Sequence, residues 1–243
     1  EKLRKLRPTQ NQLHQQKICS MSYLVNRINK IYLEDCLDRL NKSTTYDYAF
    51  FSPPDYDEMN LHPKQDEEEY SNFINRVLGN LNPTKQVVTV VISDRKFNST
   101  IIPKHKMIID MMFDLGYKLV SQKIWRKSPS INLYRLNYAF VLSFAKRKCK
   151  QLYKKDFRID VWDCKHQNYR GYSYNMPIEI TQKCIENFTN EAELVYDPFM
   201  GVGTTAIACM NTNRFYMGSE INSETYELCM DRLTKLEGNQ KWY

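Results

Sequence analysis

The amino-acid sequence predicts an α/β fold in which helices cover both faces of a seven-stranded, mostly parallel sheet. Three observations lead to this prediction. Short apolar segments alternate with segments of helical spacing from residue 30 to residue 236, as in a doubly wound sheet. The run Val87–Ile92 consists only of β-branched residues, which is typical of a strand buried on both faces. A turn containing Gly201 and Gly203 connects an apolar strand to a helix, and doubly wound folds bind ligands at such turns.

Strand-length runs of apolar, β-branched and aromatic residues define the predicted sheet. In chain order these runs are residues 30–33, 46–51, 86–92, 119–125, 138–144, 193–196 and 215–219. The second run is ended by Pro53 and Pro54, because proline lacks the N–H group that a central strand must donate.

Five segments have the spacing of amphipathic helices. They cover residues 67–80, 103–115, 177–189, 203–211 and 223–236. Gly116 is placed to end the second helix, and Pro177 suits the first turn of the third. Acidic residues 66–69 are expected in the first turn of the first helix, facing away from any nucleic acid. Residues 145–172, in contrast, are basic, aromatic and irregular.

Length and composition favour one domain. The 243 residues suffice for a single buried core, which we place at residues 28–243, after a basic N-terminal arm at residues 1–27. The net charge of +7 suits a polyanionic partner without requiring one. No apolar run is long enough for a transmembrane helix, so no membrane is expected. The seven cysteines have no C-x-x-C spacing, which predicts reduced thiols, no bound metal and an intracellular location.

The segment from Asp197 to Thr205, called here the glycine loop, has the features of a site for a nucleotide-like cofactor. Gly201 and Gly203 lack a Cβ atom, so the backbone can approach a ligand closely. The N-terminus of the following helix offers free N–H groups. A phosphate is disfavoured, because the loop has no Gly-Lys-Ser/Thr ending and because the Asp197 carboxylate would repel it. The same carboxylate would attract an ammonium group, such as the one that S-adenosylmethionine carries.

An acidic residue follows at the end of the next strand. Glu220 comes about twenty residues after the glycine turn, where a carboxylate can accept hydrogen bonds from both ribose hydroxyls of a nucleoside. The alternative is that Glu220 caps the helix that begins at residue 223. The presence of both features at this spacing favours ribose binding.

The catalytic segment, Ser52-Pro53-Pro54-Asp55-Tyr56, ends an apolar strand and is the candidate for the reaction itself. Two prolines fix the backbone and remove two N–H donors, so nearby carbonyl groups are held out as acceptors. The Ser52 hydroxyl and the Pro53 carbonyl could then bind both N–H groups of an exocyclic amine and free its lone pair to attack a methyl group. Such positioning needs no strong base. The alternative is a simple strand-ending turn.

The two motifs together resemble those of the DNA amino-methyltransferases, which make N4-methylcytosine or N6-methyladenine. The catalytic motif precedes the cofactor motif, as in the circularly permuted β class of that family. Residues 123–127, 138–146 and 175–180 resemble further family segments, so the similarity covers residues 28–236. The resemblance implies the class I methyltransferase version of the Rossmann-like fold, with S-adenosylmethionine as the cofactor.

The resemblance also implies which residues surround the cofactor. Glu34-Asp35-Cys36 resembles the acidic turn that contacts the adenine end, and Asn175 and Pro177 belong to a helix entry beside the cofactor. The residues expected to bind the cofactor are Asp35, Cys36, Ser52, Asn175, Pro177, Asp197, Pro198, Phe199, Gly201, Gly203, Thr204, Thr205, Glu220, Ile221 and Asn222.

The catalytic segment bears on the target base. In the family, a serine before Pro-Pro accompanies cytosine N4 methylation, and an aspartate or asparagine accompanies adenine N6, so Ser52 favours cytosine N4. The family has an aromatic residue directly after Pro-Pro, whereas this chain has Asp55, with Tyr56 one place later. Either Tyr56 stacks on the base, or Asp55 contacts an altered target, or the enzyme is weakened.

A basic segment is the main candidate for contact with nucleic acid. Residues 146–155 carry the densest positive charge, which would follow phosphates, and nearby aromatic residues such as Phe157 and Trp162 could stack on an unpaired base. A solvated basic face and buried aromatic side chains are the alternatives. The residues expected at this surface are Lys127, Lys146, Arg147, Lys148, Lys150, Lys154, Lys155, Tyr169 and Arg170. Residues 145–172 would then form a short target-recognition insertion.

Three functional hypotheses follow. The first is a DNA amino-methyltransferase that acts on double-stranded DNA, with cytosine N4 favoured over adenine N6; the family resemblance also suggests a homodimer. The second keeps the fold but gives it an RNA or protein amine as substrate. The third is a nucleic-acid-binding subunit whose catalysis is lost at Asp55, and the intact glycine loop argues against it.

Overall fold

The described residues of the computed structural model are 28–42, 45–127, 136–149, 151, 155–165, 169 and 176–239. The strands within them are β1 (Lys30–Leu33), β2 (Tyr48–Phe51), β3 (Val87–Ile92), β4 (Arg95–Phe97), β5 (Thr100–Ile102), β6 (Lys118–Arg126), β7 (Tyr138–Ala145), β8 (Val161–Trp162), β9 (Leu194–Asp197) and β10 (Phe215–Glu220). The α-helices are α1 (Cys36–Leu40), α2 (Glu67–Asn80), α3 (Lys104–Asp114), α4 (Ile178–Phe188), α5 (Thr204–Asn211) and α6 (Ser223–Asn239). Short 3-10 helices cover Tyr56–Met59 and Lys155–Arg158. The predicted arm at residues 1–27 lies outside the described residues.

One mostly parallel sheet organises the molecule, as the sequence predicts. Its strand order is β1-β10-β9-β2-β3-β7-β6-β8. The first five strands in this order run parallel to one another, β7 is antiparallel to β3 and β6, and β8 is parallel to β6. This is the α/β arrangement of the class I methyltransferase fold.

The sheet has eight strands rather than the predicted seven. The additional strand is β8, which comes from the segment that the sequence predicts to be irregular. Trp162 of β8 is 2% exposed and pairs in register with Trp125 of β6, so burial stabilises a strand of only two residues. The hairpin of β4 and β5 and the helix α1 are also absent from the prediction, because three to five residues are too few to show a period.

Alternate residues of the central strands supply two hydrophobic cores, one on each face of the sheet. Tyr48 and Phe50 of β2 pack in the core that includes residues of α4 and α5. Ala49 and Phe51 pack in the core that includes residues of α2 and α3. Because both faces are covered, β2 and β3 are buried along their whole length, which accounts for their continuous apolar sequences.

Three chemical features of the described residues bear on the possible functions. None of their helices combines the length and apolar character required to cross a membrane. No group of three potential metal-binding side chains occurs among them. The six cysteines that they include, Cys36, Cys149, Cys164, Cys184, Cys209 and Cys229, are free thiols.

Candidate active site

The catalytic segment, the glycine loop and Glu220 lie at the edge of the sheet where the parallel strands end, called here the carboxyl edge. Ser52 follows β2, Asp197 ends β9 and Glu220 ends β10. These strands are neighbours in the sheet, so the catalytic segment and the glycine loop lie side by side. The rings of Phe51 and Phe199, whose centroids are 5.7 Å apart, join them directly.

The glycine loop is built around the buried carboxylate of Asp197. Oδ1 of Asp197 accepts a hydrogen bond from the Phe199 N–H at 2.8 Å, and Oδ2 accepts one from the Thr205 hydroxyl at 2.5 Å. Burial raises the pKa of Asp197 to about 7, against the opposing effect of these hydrogen bonds, and the charge of Glu220 adds to the rise. The Asp197 anion is therefore poorly stabilised by the protein alone, and a bound cation would stabilise it.

Close packing fixes the shape of the loop. Gly201 and Gly203 have φ values of 55° and 82°, which L side chains rarely adopt. A Cβ atom added to Gly203 would lie 2.6 Å from Sγ of Cys229 in α6. A Cβ atom added to Gly218 of β10 would lie 2.8 Å from the Asp197 carbonyl oxygen. The glycines thus allow the turn, α6 and β10 to approach one another.

Glu220 connects the glycine loop to the start of α6. Its Oε2 accepts a hydrogen bond from the Gly201 N–H at 2.8 Å, and its Oε1 accepts one from the Asn222 N–H at 2.9 Å. Asn222 itself caps α6, since its Oδ1 accepts from the Thr225 N–H at 2.9 Å. Asn222, which the resemblance placed at the cofactor, therefore has a structural role. Each oxygen of Glu220 keeps a second lone pair that could accept a ribose hydroxyl.

Two apolar side chains flank Glu220 at the carboxyl edge. Leu33 ends β1, pairs in register with Glu220 and is 51% exposed. Ile221 follows Glu220 and is 71% exposed. Ile221 was among the predicted cofactor residues, whereas Leu33 was not. In the sequence, Leu33 is marked only by its place at the end of a strand, directly before the acidic turn.

The acidic turn after β1 has a largely structural role. Asp35 caps α1 and accepts a hydrogen bond from the Leu37 N–H at 2.8 Å. Cys36 is buried with Leu37 and Val77, and burial raises the pKa of its thiol to about 12. The Cys36 side chain, predicted to contact the cofactor, is therefore turned into the core. The turn still adjoins the site, because the Glu34 N–H donates to the Glu220 carbonyl at 3.0 Å.

Several other residues predicted to bind the cofactor pack within the protein. Phe199 packs its ring 6.0 Å from that of Phe73 in α2. Pro177 is buried at the N-terminal cap of α4. Pro198, Thr204 and Thr205 are also buried. Asn175 lies outside the described residues.

The catalytic segment presents some groups to solvent and uses others internally. Ser52 is exposed and Pro53 is buried. The Pro54 carbonyl accepts a hydrogen bond from the Tyr70 hydroxyl at 2.9 Å. Tyr56 is fully buried, and its ring stacks on that of Tyr70 with centroids 4.3 Å apart. In this conformation Tyr56 is not available to stack on a base, the first of the three alternatives for this segment.

Asp55 is also bound within the protein. Its carboxylate lies 2.8 Å from Nζ of Lys104 and 3.4 Å from Nη1 of Arg95. Burial is the largest single influence and opposes ionisation of Asp55, but the charge and hydrogen bond of Lys104, the Tyr56 N–H and the charge of Arg95 together lower its pKa. Asp55 therefore serves as an anchor of the segment, and contact with an altered target is not needed to explain it.

Glu58, two residues beyond the catalytic segment, lies close enough to Glu220 for their charges to interact. Glu58 follows the segment, and its pKa is raised first by partial removal from water and further by the negative charges of Asp55 and Glu220.

The end of β3 adds polar groups to the carboxyl edge that the site prediction did not include. Asp94 is buried, and its carboxylate lies 2.7 Å from Nδ1 of His105. The His105 ring stacks on Phe140, with centroids 4.1 Å apart. Lys127, which was predicted to contact nucleic acid, donates to the Ser93 hydroxyl at 2.6 Å and so lies at this edge.

The basic run lies at the opposite edge of the sheet. Lys146, Arg147 and Lys148 follow the end of β7, and β7 is antiparallel to β3. The Lys146 N–H accordingly donates to the carbonyl of Gln86, which precedes β3. The six residues of β3 span about 20 Å, so the structure does not bring these predicted nucleic-acid contacts together with Ser52. Lys150, Lys154 and Arg170, and the side chain of Lys155, lie outside the described part of the chain.

The aromatic residues of the same segment are mostly structural. Phe157 and Trp162 are each 2% exposed and pack against one another, so the alternative of buried aromatics is correct for these two. Tyr169 donates its hydroxyl to Asp231 at 3.2 Å, and the Arg232 guanidinium lies 4.9 Å from its ring centre. Tyr169 is therefore docked on α6 in this structure.

The acidic residues at the start of α2 lie near the catalytic segment. Residues 67–69 do form the first turn of α2, as predicted. Tyr70 follows them directly and contacts the Pro54 carbonyl, so this turn adjoins the catalytic segment. The cause is the order of the elements, since α2 follows β2 and a helix that follows a parallel strand begins at the edge where that strand ends.

Solved structures with the same fold include several DNA methyltransferases. A DNA modification methylase from Thermus thermophilus, in complex with S-adenosyl-L-methionine, has a TM-score of 0.69 and 20% identity over 85% of this chain and 93% of that one. The cytosine-N4-specific PvuII DNA methyltransferase has a TM-score of 0.71 and 15% identity over 87% of this chain and 88% of that one. At these identities the similarity establishes the fold.

Curated relatives include type II methyltransferases. M.XycI of Xanthomonas campestris pv. cyanopsidis is 35% identical over 83 residues, which is 34% of this chain and 28% of the relative. M.MthZI of Methanothermobacter thermautotrophicus is 25% identical over 171 residues, which is 55% of this chain and 48% of the relative. The chain thus spans at most about half the length of these two relatives.

A family model described as DNA methylase, of the N6 and N4 methyltransferases, matches residues 46–231. The match includes the catalytic segment, the glycine loop and Glu220, the groups that the structure gathers at the carboxyl edge. The chain therefore belongs to the N6/N4 DNA methylase family.

Proposed function

We propose that the chain is an S-adenosylmethionine-dependent DNA amino-methyltransferase with cytosine N4 as its favoured target. The observation that carries the proposal is the placement of the glycine loop, Glu220 and the catalytic segment side by side at the carboxyl edge. Structures similar to this chain in fold include two that are titled as complexes with S-adenosylmethionine.

The residues at the carboxyl edge suit this cofactor. The lone pairs that remain on Glu220 would accept both ribose hydroxyls, and the exposed side chains of Leu33 and Ile221 would cover the faces of an adenine ring. Asp197, whose anion a cation would stabilise, would lie toward the amino group of the cofactor. When bound, S-adenosylmethionine supplies an electrophilic methyl group attached to a positively charged sulfur.

The catalytic segment would bind and orient the target amine. The Ser52 hydroxyl and the Pro53 carbonyl accept its two N–H groups, whereas the Pro54 carbonyl is already occupied by Tyr70. Acceptors on both N–H groups draw the amine lone pair out of conjugation with the base ring. They also stabilise the positive charge that develops on the nitrogen during transfer. Because this charge is larger in the transition state than in the substrate, its stabilisation accelerates the reaction.

Two observations favour cytosine N4 as the target, and the position of Lys127 favours DNA as the substrate. Ser52 stands where the serine of the N4 enzymes would stand, and the PvuII enzyme, to which the chain is similar in fold, is titled as cytosine-N4-specific. Lys127 at the carboxyl edge would meet a backbone phosphate. The order of the catalytic and cofactor motifs supports the β class. Adenine N6 is the alternative that the same geometry could serve.

Replacement of Ser52 by alanine tests the proposal. We expect Ser52→Ala to bind S-adenosylmethionine within about threefold of wild type by calorimetry, and to transfer methyl groups to DNA at least about tenfold more slowly, since one transition-state hydrogen bond exceeds about 1.4 kcal/mol. Ser71→Ala, in the helix α2, is the control and should match wild type. If Ser52→Ala keeps full activity, Ser52 does not hold the amine. If wild type binds no S-adenosylmethionine, the proposed function is wrong.

A further inference from the structure

A buried lysine contacts the catalytic segment from α3. Lys104 is the first residue of α3 and only 3% of its surface is exposed. Its Nζ lies 2.8 Å from Oδ1 of Asp55, and 5.8 Å and 5.7 Å from the ring centres of Tyr56 and Tyr70. A lysine is almost never buried without a partner, and here the carboxylate partner is a residue of the catalytic segment itself. Arg95 of β4 adds to this ion pair, since its Nη1 lies 3.4 Å from the Asp55 carboxylate and 2.8 Å from the Asp57 carboxylate.

Asp55 in turn holds the backbone on both of its sides. Its Oδ1 accepts from the Tyr56 N–H at 2.8 Å, and its own N–H donates to Oε2 of Glu58 at 2.8 Å. The second bond belongs to a capping box at the start of the 3-10 helix, in which the Asp55 side chain also accepts from the Glu58 N–H. On the other side, the Pro54 carbonyl is held by the Tyr70 hydroxyl. The direction in which the chain leaves Pro53 is thus fixed by contacts that converge on Asp55 and Pro54.

We propose that Lys104 is a positioning residue for methyl transfer, which acts through Asp55 to aim the Ser52 hydroxyl and the Pro53 carbonyl at the target amine. The proposal rests on the function proposed above and adds to it a residue that lies 49 positions from Asp55 in the chain. It accounts for an acidic residue directly after Pro-Pro. An ion pair with α3 fixes this segment, and Tyr56 turns into the core beside Tyr70.

Kinetics of Lys104→Met and a matched control test the proposal. Lys106 lies on the same helix and also pairs with an aspartate, Asp110, but its side chain is 68% exposed. For Lys104→Met we expect S-adenosylmethionine affinity within about twofold of wild type, a fall in kcat of at least about tenfold and a smaller change in KM for DNA. Lys106→Met should match wild type in all three. A wild-type kcat for Lys104→Met would overturn the proposal.

A double variant separates positioning from a general loss of stability. If Lys104 acts only through Asp55, the combination of Lys104→Met with Asp55→Asn should reduce kcat no further than the worse single variant, because each change breaks the same contact. A fall in kcat equal to the product of the two single-variant falls would overturn the proposal. Cofactor affinity near wild type in each variant shows that the fold is kept.

Hydrogen exchange provides a readout that does not depend on activity. We expect Lys104→Met to speed amide exchange in peptides that cover residues 53–60 and to leave residues 197–205 unchanged. Wild-type exchange at residues 53–60 would show that Lys104 does not hold the segment. Faster exchange with undiminished transfer would make the pair a structural contact only. Failure of the wild-type protein to methylate DNA would refute the proposed function, and the exchange data would still show whether Lys104 orders the segment.

Discussion

At the scale of single residues, two aspartates differ in character because of their surroundings. Asp197 is buried with neutral donors, so its pKa rises to about 7. Asp55 is partly buried, but the Lys104 ammonium beside it lowers its pKa. The first carboxylate lacks a cationic partner among the hydrogen bonds that hold it, whereas the second already has one. This difference supports a ligand-binding role for Asp197 and an anchoring role for Asp55.

The pH dependence of cofactor binding tests the role of Asp197. The carboxyl must ionise to pair with an ammonium group, so affinity for S-adenosylmethionine should fall as pH drops below about 7. Between about pH 7 and about pH 5.5 the expected loss is on the order of tenfold. Calorimetry in buffers of different ionisation enthalpy should show proton release on binding below about pH 7. Asp197→Asn should bind weakly with little pH dependence, and the same slope in that variant would contradict the assignment.

The same pKa shift has a consequence for stability. The folded protein binds a proton at Asp197 more tightly than the unfolded chain, for which the ordinary value of 3.8 applies. The free energy of unfolding of the ligand-free protein should therefore decrease as pH rises from about 4 to about 7, through this residue alone. Bound S-adenosylmethionine should reduce that decrease.

At the scale of elements, the site depends on how closely β9, the glycine loop and α5 pack against α6. Gly203 is a point of close approach to α6, since a Cβ atom there would lie 2.6 Å from the Cys229 sulfur. Gly116, after α3, has nearly the same φ but has nothing within 4 Å of an added Cβ atom. Alanine substitutions at these two glycines therefore allow the cost of the backbone conformation to be distinguished from the cost of the steric clash.

Gly203→Ala should lower the free energy of unfolding by at least about 2 kcal/mol, because it combines an unfavourable φ with a buried clash. Gly116→Ala should cost about 1 kcal/mol through φ alone. Gly79→Ala, near the end of α2 with no contact closer than 3.9 Å, should be neutral or stabilising by up to about 1 kcal/mol. Chemical denaturation measures all three. Equal losses at Gly203 and Gly116 would show that the packing against Cys229 is not limiting.

The sequence predicts most of these elements because their signals are local. The β-branched run of β3 and the glycine turn after β9 each lie within about ten residues and agree with the structure. β8 and α1 contain two and five residues, so neither has a detectable period, and their burial depends on distant partners. The Lys104–Asp55 pair has no local signal either, because the two residues meet only when α3 folds against the end of β2.

At the scale of the whole molecule, the direction of β7 decides which charges face the site. The positive run at residues 146–148 is conspicuous in the sequence, but the antiparallel β7 places it at the edge opposite Ser52. Lys127 lies at the carboxyl edge beside Ser93. Sequence alone does not reveal this distribution, because composition is independent of strand direction.

Charge substitutions at the two edges should have different effects on DNA binding. Lys127→Gln should weaken duplex binding severalfold and reduce the salt dependence by about one counterion. The triple change Lys146→Gln, Arg147→Gln and Lys148→Gln should leave affinity within about twofold at about 0.15 M salt, where charges about 20 Å away are screened. Fluorescence anisotropy with labelled duplex DNA measures both. A larger loss in the triple variant would place the DNA at the opposite edge.

Mass spectrometry of nucleosides identifies the methylated base. Duplex DNA would be incubated with the protein and with S-adenosylmethionine that carries an isotopically labelled methyl group, and then digested to nucleosides. We expect labelled N4-methylcytosine with the wild-type chain and at least about tenfold less with Ser52→Ala. Labelled N6-methyladenine instead would refute the choice of base. Bound cofactor with no labelled nucleoside in DNA would contradict the claim that the carboxyl edge is a DNA amino-methyltransferase site.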